Sequence, residues 1–163
     1  MKKALTIIAA AFAVLTACSS PENHHAIVED TTPGYVLSDE MTEVKIGEDG
    51  TLLVLRNMKT GHDYASGQGL WRMFYNTLEE KEMQIDGTEN TPAVSQDGNV
   101  ITIAYRNLVH RGKELKMDLV LTVALEDGGV RFGSEVTNNE PHTIIRELQY
   151  PLVGDMNLPE GHK

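Results

Sequence analysis

Cysteine is almost absent from this chain, because Cys18 is the only one among its 163 residues. A single thiol excludes an internal disulfide, and it excludes the cysteine-rich metal sites of small zinc-binding domains. A folded domain of this composition must therefore be held together by its hydrophobic core. The position of Cys18, where an apolar stretch gives way to a polar one, is the first feature that needs an explanation.

Long hydrophobic runs are also lacking. The most apolar stretch covers residues 4–17 and is shorter than the roughly 20 residues that a membrane-spanning helix needs. It follows Met1-Lys2-Lys3 and ends in small residues, which is the arrangement of a secretory signal peptide. We therefore predict a signal peptide over residues 1–17, with a helical apolar part.

Residues 15–18, LTAC, resemble the lipobox of bacterial lipoproteins. The resemblance implies cleavage before Cys18 and acylation of that cysteine, and two or more acyl chains hold a protein stably on a membrane. It also implies a lipid-anchored protein of the cell envelope, at the outer membrane or cell surface rather than the inner membrane. The alternatives are an ordinary signal peptide with a coincidental cysteine, or an uncleaved core segment.

Basic side chains are few: 14 Lys and Arg stand against 24 Asp and Glu, for a formal charge of −10. Removal of residues 1–17 leaves 12 basic residues and a charge of −12. A surface this acidic repels phosphate backbones and anionic headgroups, which argues against nucleic-acid binding and against electrostatic attachment to a membrane. Attachment would come from the lipid on Cys18.

Regular periodicity is missing from residues 18–40, which are polar and include two prolines. This composition predicts a flexible, disordered tether. His24 and His25 lie in it, but adjacent side chains seldom converge on one ion, and no cysteine or carboxylate cluster stands at ligand spacing. We predict no metal site and no cofactor.

Helical periodicity does not appear after the signal peptide, whereas strand periodicity does. Every odd position of residues 115–125 is apolar, which predicts a strand with one face in a core. Further strands are predicted at residues 51–57, 70–77, 100–107, 130–137 and 143–153, with turn glycines at 50, 98, 112 and 128. We therefore predict an all-β fold, an antiparallel β-sandwich over residues 41–154, followed by a tail at residues 155–163.

Catalytic motifs are missing: the chain has no Gly-x-Ser-x-Gly, no phosphate-binding loop and no His-Glu-x-x-His. Glu147 and Asp155 are the best candidate pair of catalytic carboxylates, with a salt bridge as the alternative role of Glu147. His110 and His142 fall in predicted turns, where each is either a candidate general acid or base or an ordinary polar residue. The charged run at residues 79–82 is typical of a solvated loop.

Aromatic residues make up only 6% of the chain, and three of them lie in residues 70–75, LWRMFY. Alternation places Trp71, Met73 and Tyr75 on one strand face and Leu70, Arg72 and Phe74 on the other, so we expect cover on both faces. Trp71 and Tyr75, about 13 Å apart along the strand, are candidates for core packing or for a platform that stacks on sugars. Tyr64, in a glycine-containing loop, is the more exposed candidate for carbohydrate binding.

Three stretches resemble the N-terminal β-supersandwich, of galactose-mutarotase-like type, that precedes the catalytic barrel in large secreted bacterial glycoside hydrolases. They are residues 44–57 followed by Lys59-Thr60-Gly61, residues 70–75, and residues 130–154. The resemblance implies a role beside a carbohydrate-active site, with the sandwich packed on a barrel. It transfers no catalytic residue, because in those enzymes the catalytic residues lie on the barrel.

Three functions remain open on these grounds. The first is a lipid-anchored module of a glycan-degrading system, non-catalytic by itself, serving as an accessory domain or as the front part of a hydrolase. The others are a structural or binding envelope lipoprotein without a sugar ligand, and a small sugar epimerase or lyase. Residues 143–153 look apolar on both faces, which predicts that a catalytic barrel or a separate partner protein packs on this last strand.

We predict that Cys18→Ala moves the protein from the membrane fraction to the soluble or precursor pool, because the lipobox resemblance makes Cys18 the acylated residue. Carbonate washing of membranes followed by immunoblotting measures this. A substituted protein that stays with the washed membranes would contradict the anchor.

Overall fold

The computed structural model describes residues 32–65, 69–127 and 129–154. Regular structure in these residues is β-strand, apart from a 3-10 turn at Gly87–Glu89. The strands are β1 (Gly34–Ser38), β2 (Thr42–Gly47), β3 (Leu52–Asn57), β4 (Arg72–Asn76), β5 (Met83–Asp86), β6 (Ala93–Asp97), β7 (Val100–Tyr105), β8 (Val109–His110), β9 (Lys113–Glu114), β10 (Met117–Glu126), β11 (Gly129–Asn138) and β12 (Ile144–Gln149).

These strands form three sheets and one short hairpin, and all the strand pairs are antiparallel. β1, β2 and β3 pair in that order, β11, β10, β7 and β6 make a four-stranded sheet, and β12, β4 and β5 make the third sheet. β8 and β9 pair with each other. Buried side chains from all three sheets meet in one hydrophobic cluster. The prediction of an antiparallel, sandwich-like all-β fold is confirmed.

β10 supplies the centre of that core. Its odd-numbered side chains from Met117 to Leu125 are buried, as the alternation predicted. Ile101 and Ile103 of β7 lie directly opposite Val123 and Leu121 and are also fully buried. Since each such side chain contributes about 1.5–3 kcal/mol when removed from water, this face accounts for a large part of the stability of a domain whose described residues hold no cysteine.

The predicted tether ends earlier than residue 40. Residues Gly34–Ser38 form β1 and pair with β2 in register, so the tether prediction is wrong for these residues. Tyr35 and Leu37 alternate with exposed neighbours; Leu37 is buried, and the Tyr35 hydroxyl donates a hydrogen bond of 2.9 Å to the carbonyl of Val94. Val36, between Tyr35 and Leu37, is also apolar, so the sequence has no two-residue alternation here that would have indicated a strand.

The six predicted strands are present, with ends that differ by a few residues. Five further strands beyond β1 were not predicted, namely β2, β5, β6, β8 and β9. Most of them are short or polar, and in β6 Val94 is the one half-buried residue among exposed ones. The predicted turn glycines Gly50, Gly98 and Gly112 all adopt positive φ, which confirms the turn predictions there, while Gly128 lies outside the described residues.

A β-bulge changes the expected faces of β12. Ile145 pairs with Tyr75 and Glu147 pairs with Phe74, so Arg146 is an extra residue without a partner on β4. Because of this extra residue, Ile145 and Leu148 both pack on the core, although their spacing predicts opposite faces. The prediction that this strand is apolar on both faces is therefore wrong.

β4 also has one apolar face rather than two. Met73 and Tyr75 point into the core, and the outer face carries Arg72, Phe74 and Asn76, which are half-buried. Leu70, expected on the outer face, precedes the strand and is buried in the core. Phe74 is consequently the single apolar residue of β4 on the outer face.

Trp71 lies wholly inside the core. Its side chain is 0% exposed, and its ring meets the Tyr105 ring edge to face at a centroid distance of 5.2 Å. A Cβ atom on Gly87 would lie 2.9 Å from Nε1 of the indole, so only glycine leaves room for the ring at this position. A ring without an exposed face offers no platform for a sugar, and Trp71 is a packing residue.

We expect Trp71→Ala to lower the free energy of unfolding by about 3–5 kcal/mol, because it leaves a cavity in the core. Urea denaturation followed by circular dichroism measures the change. Leu78→Ala is the matched control, since Leu78 is 77% exposed and its truncation should cost less than about 0.5 kcal/mol. A Trp71→Ala protein as stable as the wild type would contradict the packing role.

Candidate functional site

A concave site lies at one end of the third sheet. Three connections surround it: residues 77–80 after β4, the β8–β9 hairpin, and residues 140–143 between β11 and β12. Its cavity volume is about 390 Å³, which falls in the range of sites for small ligands. We call this site the cleft.

Local sequence fixes the shape of the cleft walls. Arg111 and Gly112 both have positive φ, as the two central residues of a tight I′ hairpin turn require, and this turn brings β8 back along β9. The Thr77 hydroxyl accepts hydrogen bonds from the backbone N–H groups of Glu79 and Glu80, which folds the first connection into a compact loop.

Two buried polar residues form the floor of the cleft. Tyr75 and His110 are 1% and 8% exposed, and their rings meet perpendicularly at a centroid distance of 5.8 Å. Burial raises the pKa of the Tyr75 phenol; the Arg111 guanidinium opposes this in part, while the nearby carboxylates reinforce it. Tyr75 is therefore a neutral hydroxyl group under ordinary conditions.

His110 is unusual because it is buried without being satisfied. Neither ring nitrogen has a hydrogen-bond partner among the described residues, and the nearest carboxylate oxygen, Oε2 of Glu89, lies 3.9 Å from Nδ1. A buried polar group without a partner is costly and is uncommon in folded proteins. Such a group at the floor of a cleft is a candidate ligand contact.

Two ion pairs line the cleft beside its floor. The Arg111 guanidinium donates to Glu80 at 3.1 Å, and Nζ of Lys113 lies 3.8 Å from Oε1 of Glu140. Oε2 of Glu140 also accepts a hydrogen bond of 2.8 Å from the Lys116 backbone N–H, so this carboxylate holds the third connection against the start of β10. The walls therefore offer donors and acceptors of both charges.

The predicted site residues are distributed over several parts of the molecule. Tyr75 lies at the floor of the cleft, and the exposed His142 lies on its wall. Glu147 is exposed on the outer face of β12, where it accepts a hydrogen bond of 2.8 Å from Gln149. Tyr64 is half-buried against His62, with ring centroids 4.4 Å apart.

Several predictions fall on residues whose structure is not described. Asp155, Cys18, His24 and His25 belong to this group, as do the signal peptide, most of the tether and the tail. The prediction that Glu147 and Asp155 form a pair of carboxylates therefore stays a prediction. Within the described residues, no group of three or more His, Cys, Asp or Glu side chains is arranged to hold a metal ion, and none of the helical structure there could cross a membrane.

Sequence reasoning missed the residues that build the cleft walls. The convergence of Arg111, Lys113 and Glu140 depends on hairpins that are distant in the chain, so no local pattern predicts it. The turn signal at residues 110–113 was correct, however, and a turn that places an arginine and a histidine side by side was the available clue. Among the described cleft residues, the arrangement provides hydrogen-bonding groups rather than a nucleophile hydrogen-bonded to a base.

Comparison of the chain with protein-family models, with curated proteins and with solved structures found no match.

Tyr75 should remain protonated at a pH where free phenols ionise, near 10, because burial raises its pKa. Since the folded-state pKa lies above the unfolded one, this residue stabilises the fold fully below pH 10 and less as the pH rises further. Alkaline titration followed by ultraviolet difference spectroscopy, with wild type and Tyr75→Phe compared, measures this. A tyrosinate signal near pH 10 that disappears in Tyr75→Phe would show that the phenol ionises normally.

Proposed function

We propose that this chain is a lipid-anchored, glycan-binding β-sandwich module of the cell envelope, which serves a glycan-degrading system and is not catalytic by itself. The observation that carries the proposal is the cleft, whose floor presents Tyr75 and an unsatisfied His110 between two ion pairs. The resemblance of three sequence stretches to the supersandwich of secreted glycoside hydrolases points in the same direction.

The chemistry of the cleft suits a sugar. A sugar hydroxyl both donates and accepts hydrogen bonds, so it can satisfy an imidazole nitrogen and a phenol at the same time. Carboxylates and cations on the walls add charge-assisted hydrogen bonds, which are stronger than neutral ones. The formal charge of −10 on the whole chain disfavours polyanionic glycans, so the proposed ligand is a neutral oligosaccharide.

A partner that packs beside the cleft is a second element of the proposal. Leu78 and Ile144 are 77% and 66% exposed; Leu78 lines the cleft, and Ile144 follows the cleft residue Thr143. A catalytic barrel or a separate enzyme covering these side chains would bring its active site next to the bound glycan.

Without that partner, the exposed Leu78 and Ile144 side chains should cause the protein to self-associate. The double substitution Leu78→Ser with Ile144→Ser should therefore reduce self-association, which sedimentation velocity measures.

Arg111→Gln should weaken binding of a neutral oligosaccharide by about tenfold or more, because it removes a charged hydrogen-bond donor from the cleft wall. The experiment uses the full-length lipoprotein in a sugar-free detergent, a glycan array to choose the ligand, and calorimetry to measure the affinity.

Arg131→Gln is the matched control. Arg131 and Arg111 are 65% and 67% exposed, and each pairs with a glutamate, Glu126 and Glu80 respectively, but Arg131 does not line the cleft. Both variants should unfold at the wild-type temperature, since exposed ion pairs contribute little to stability. Equal affinities for the two variants, or no glycan bound by the wild type, would refute the proposal.

A further inference from the structure

The ten-residue strand β11 forms one edge of the four-stranded sheet, and among the described strands it pairs only with β10. The opposite edge, β6, is covered in part by β1: the Tyr35 hydroxyl donates to the Val94 carbonyl, and the Gln96 amide donates to a carbonyl of β1. Within the described residues β11 has no such cover. An open edge presents unpaired backbone groups to which another strand can be added.

The hydrogen-bonding pattern shows which backbone groups of β11 are open. Asn139 continues the register of the strand, and its backbone N–H donates to the Lys116 carbonyl at 2.8 Å. Directly opposed residues of an antiparallel pair alternate between hydrogen-bonded and non-hydrogen-bonded rungs. The odd-numbered residues of β11 therefore bond to β10, and the N–H and C=O groups of its even-numbered residues point away from the sheet.

β11 lacks several features that usually protect an open edge. Its pairing with β10 is continuous from Gly129 to Asn138 without a bulge, and the strand contains neither proline nor lysine. Val130, Phe132 and Val136 on its inner side pack against the core but are only half-buried. The inner side of this edge is therefore apolar and partly open.

Two opposite charges lie on the outer side of β11, at equal distances along the strand from Gly133. Arg131 is 65% exposed, and its Nε and Nη2 donate to the two carboxylate oxygens of Glu126, which leaves Nη1 for another acceptor. Glu135 is exposed and has no ionic partner among the described residues. A strand with charges placed in this way is complementary to an antiparallel copy of itself.

One register between two copies satisfies all these features. When Gly133 of one copy lies opposite Gly133 of the other, each Arg131 faces a Glu135 in a non-hydrogen-bonded rung, where side chains are closest. The open even-numbered residues then fall in the hydrogen-bonded rungs. On the inner side, each Val130 lies opposite a Val136, so apolar surface left open in one copy is covered by the other.

The neighbouring registers do not satisfy them. A shift by two residues, which keeps the even-numbered residues in the hydrogen-bonded rungs, places Arg131 opposite either Gly133 or Thr137. The register centred on Gly133 also pairs Gly129 with Thr137, so it uses the whole strand except Asn138. Charge pairing and strand length therefore favour the same arrangement.

We infer that β11 is a homodimerisation edge, on which a second copy of this chain adds its own β11 in antiparallel orientation and makes the two four-stranded sheets continuous. Such an interface is isologous, because the same patch serves both copies. No residue of β11 lines the cleft, so this inference goes beyond the proposed function and does not depend on it.

Charge reversal tests the register. Glu135→Arg leaves only positive charge on this edge and Arg131→Glu only negative charge, so each variant should repel its own copy, whereas a mixture of the two should pair. Differently tagged full-length proteins are mixed in detergent and co-purified. All of them, including the reference protein, carry Leu78→Ser with Ile144→Ser, which removes the other exposed apolar side chains from the comparison. We expect each charge variant to co-purify with itself about tenfold less than the reference, and the mixture to recover to within about twofold of it.

Proline substitution tests the backbone bonds separately. The N–H of Ser134 points away from β10, so Ser134→Pro should abolish co-purification and unfold near the reference temperature, since proline is tolerated at this position of an edge strand. Glu135→Pro is the matched control, because its N–H faces β10 and its loss should lower the unfolding temperature.

Three results would overturn the inference. The first is a reference protein that stays monomeric, whether its edge is open or is occupied by another segment of the chain or by a different protein. The second is equal co-purification in every combination, as expected of copies that only share a micelle. The third is a mixture of the two charge variants that does not pair although both unfold at the reference temperature.

Discussion

Burial of the inner face of β10 is the interaction on which the rest of this structure depends. β10 lies between β7 and β11 in one continuous antiparallel sheet, and its odd-numbered side chains from Met117 to Leu125 are buried in the core. The described residues contain no disulfide that could replace them. With this face fixed, the third sheet packs over it through Met73, Tyr75 and Ile145. The outer face of that third sheet and the loops at its end are then available for other roles.

The third sheet owes its two different faces to a single extra residue. Arg146 interrupts the pairing between β12 and β4, and this allows Ile145 and Leu148 to share the inner face while Glu147 joins Phe74 outside. A regular strand would have placed one of the two apolar residues in solvent. The bulge therefore improves burial on one face and places a carboxylate on the other.

The sequence allowed the fold class and the main strands to be predicted, and it did so where a side chain's environment is decided by neighbours close in the chain. β10 alternates over ten residues. The turns at Gly50, Gly98 and Gly112 are predictable because glycine tolerates the positive φ that each of them has. β1, β5 and β6 escaped prediction because their few apolar side chains lie among polar ones. The face of β12 was misjudged because nothing local distinguishes a bulged strand from a regular one.

The candidate site was less predictable because its residues come together from distant parts of the chain. Tyr75 was recognised as either a core or a sugar-binding residue, and it is in fact a buried residue whose ring edge meets His110 of a hairpin 35 residues later in the chain. Such a contact depends on how the sheets and the hairpin pack on one another, and a single sequence does not allow that packing to be predicted. Phe74 was assigned to a covered face because Leu70 appeared to lie beside it, whereas Leu70 precedes β4 and turns inward.

The ion pairs of the cleft constrain the proposed ligand further. An anionic ligand that took Arg111 for itself would leave the Glu80 carboxylate without its partner, in a protein that is already strongly acidic. A neutral hydroxyl group can accept from the guanidinium and donate to the carboxylate without breaking the pair. The two cations that line the cleft, Arg111 and Lys113, are both paired with carboxylates, and this pairing is consistent with the uncharged, hydroxyl-rich ligand that we propose.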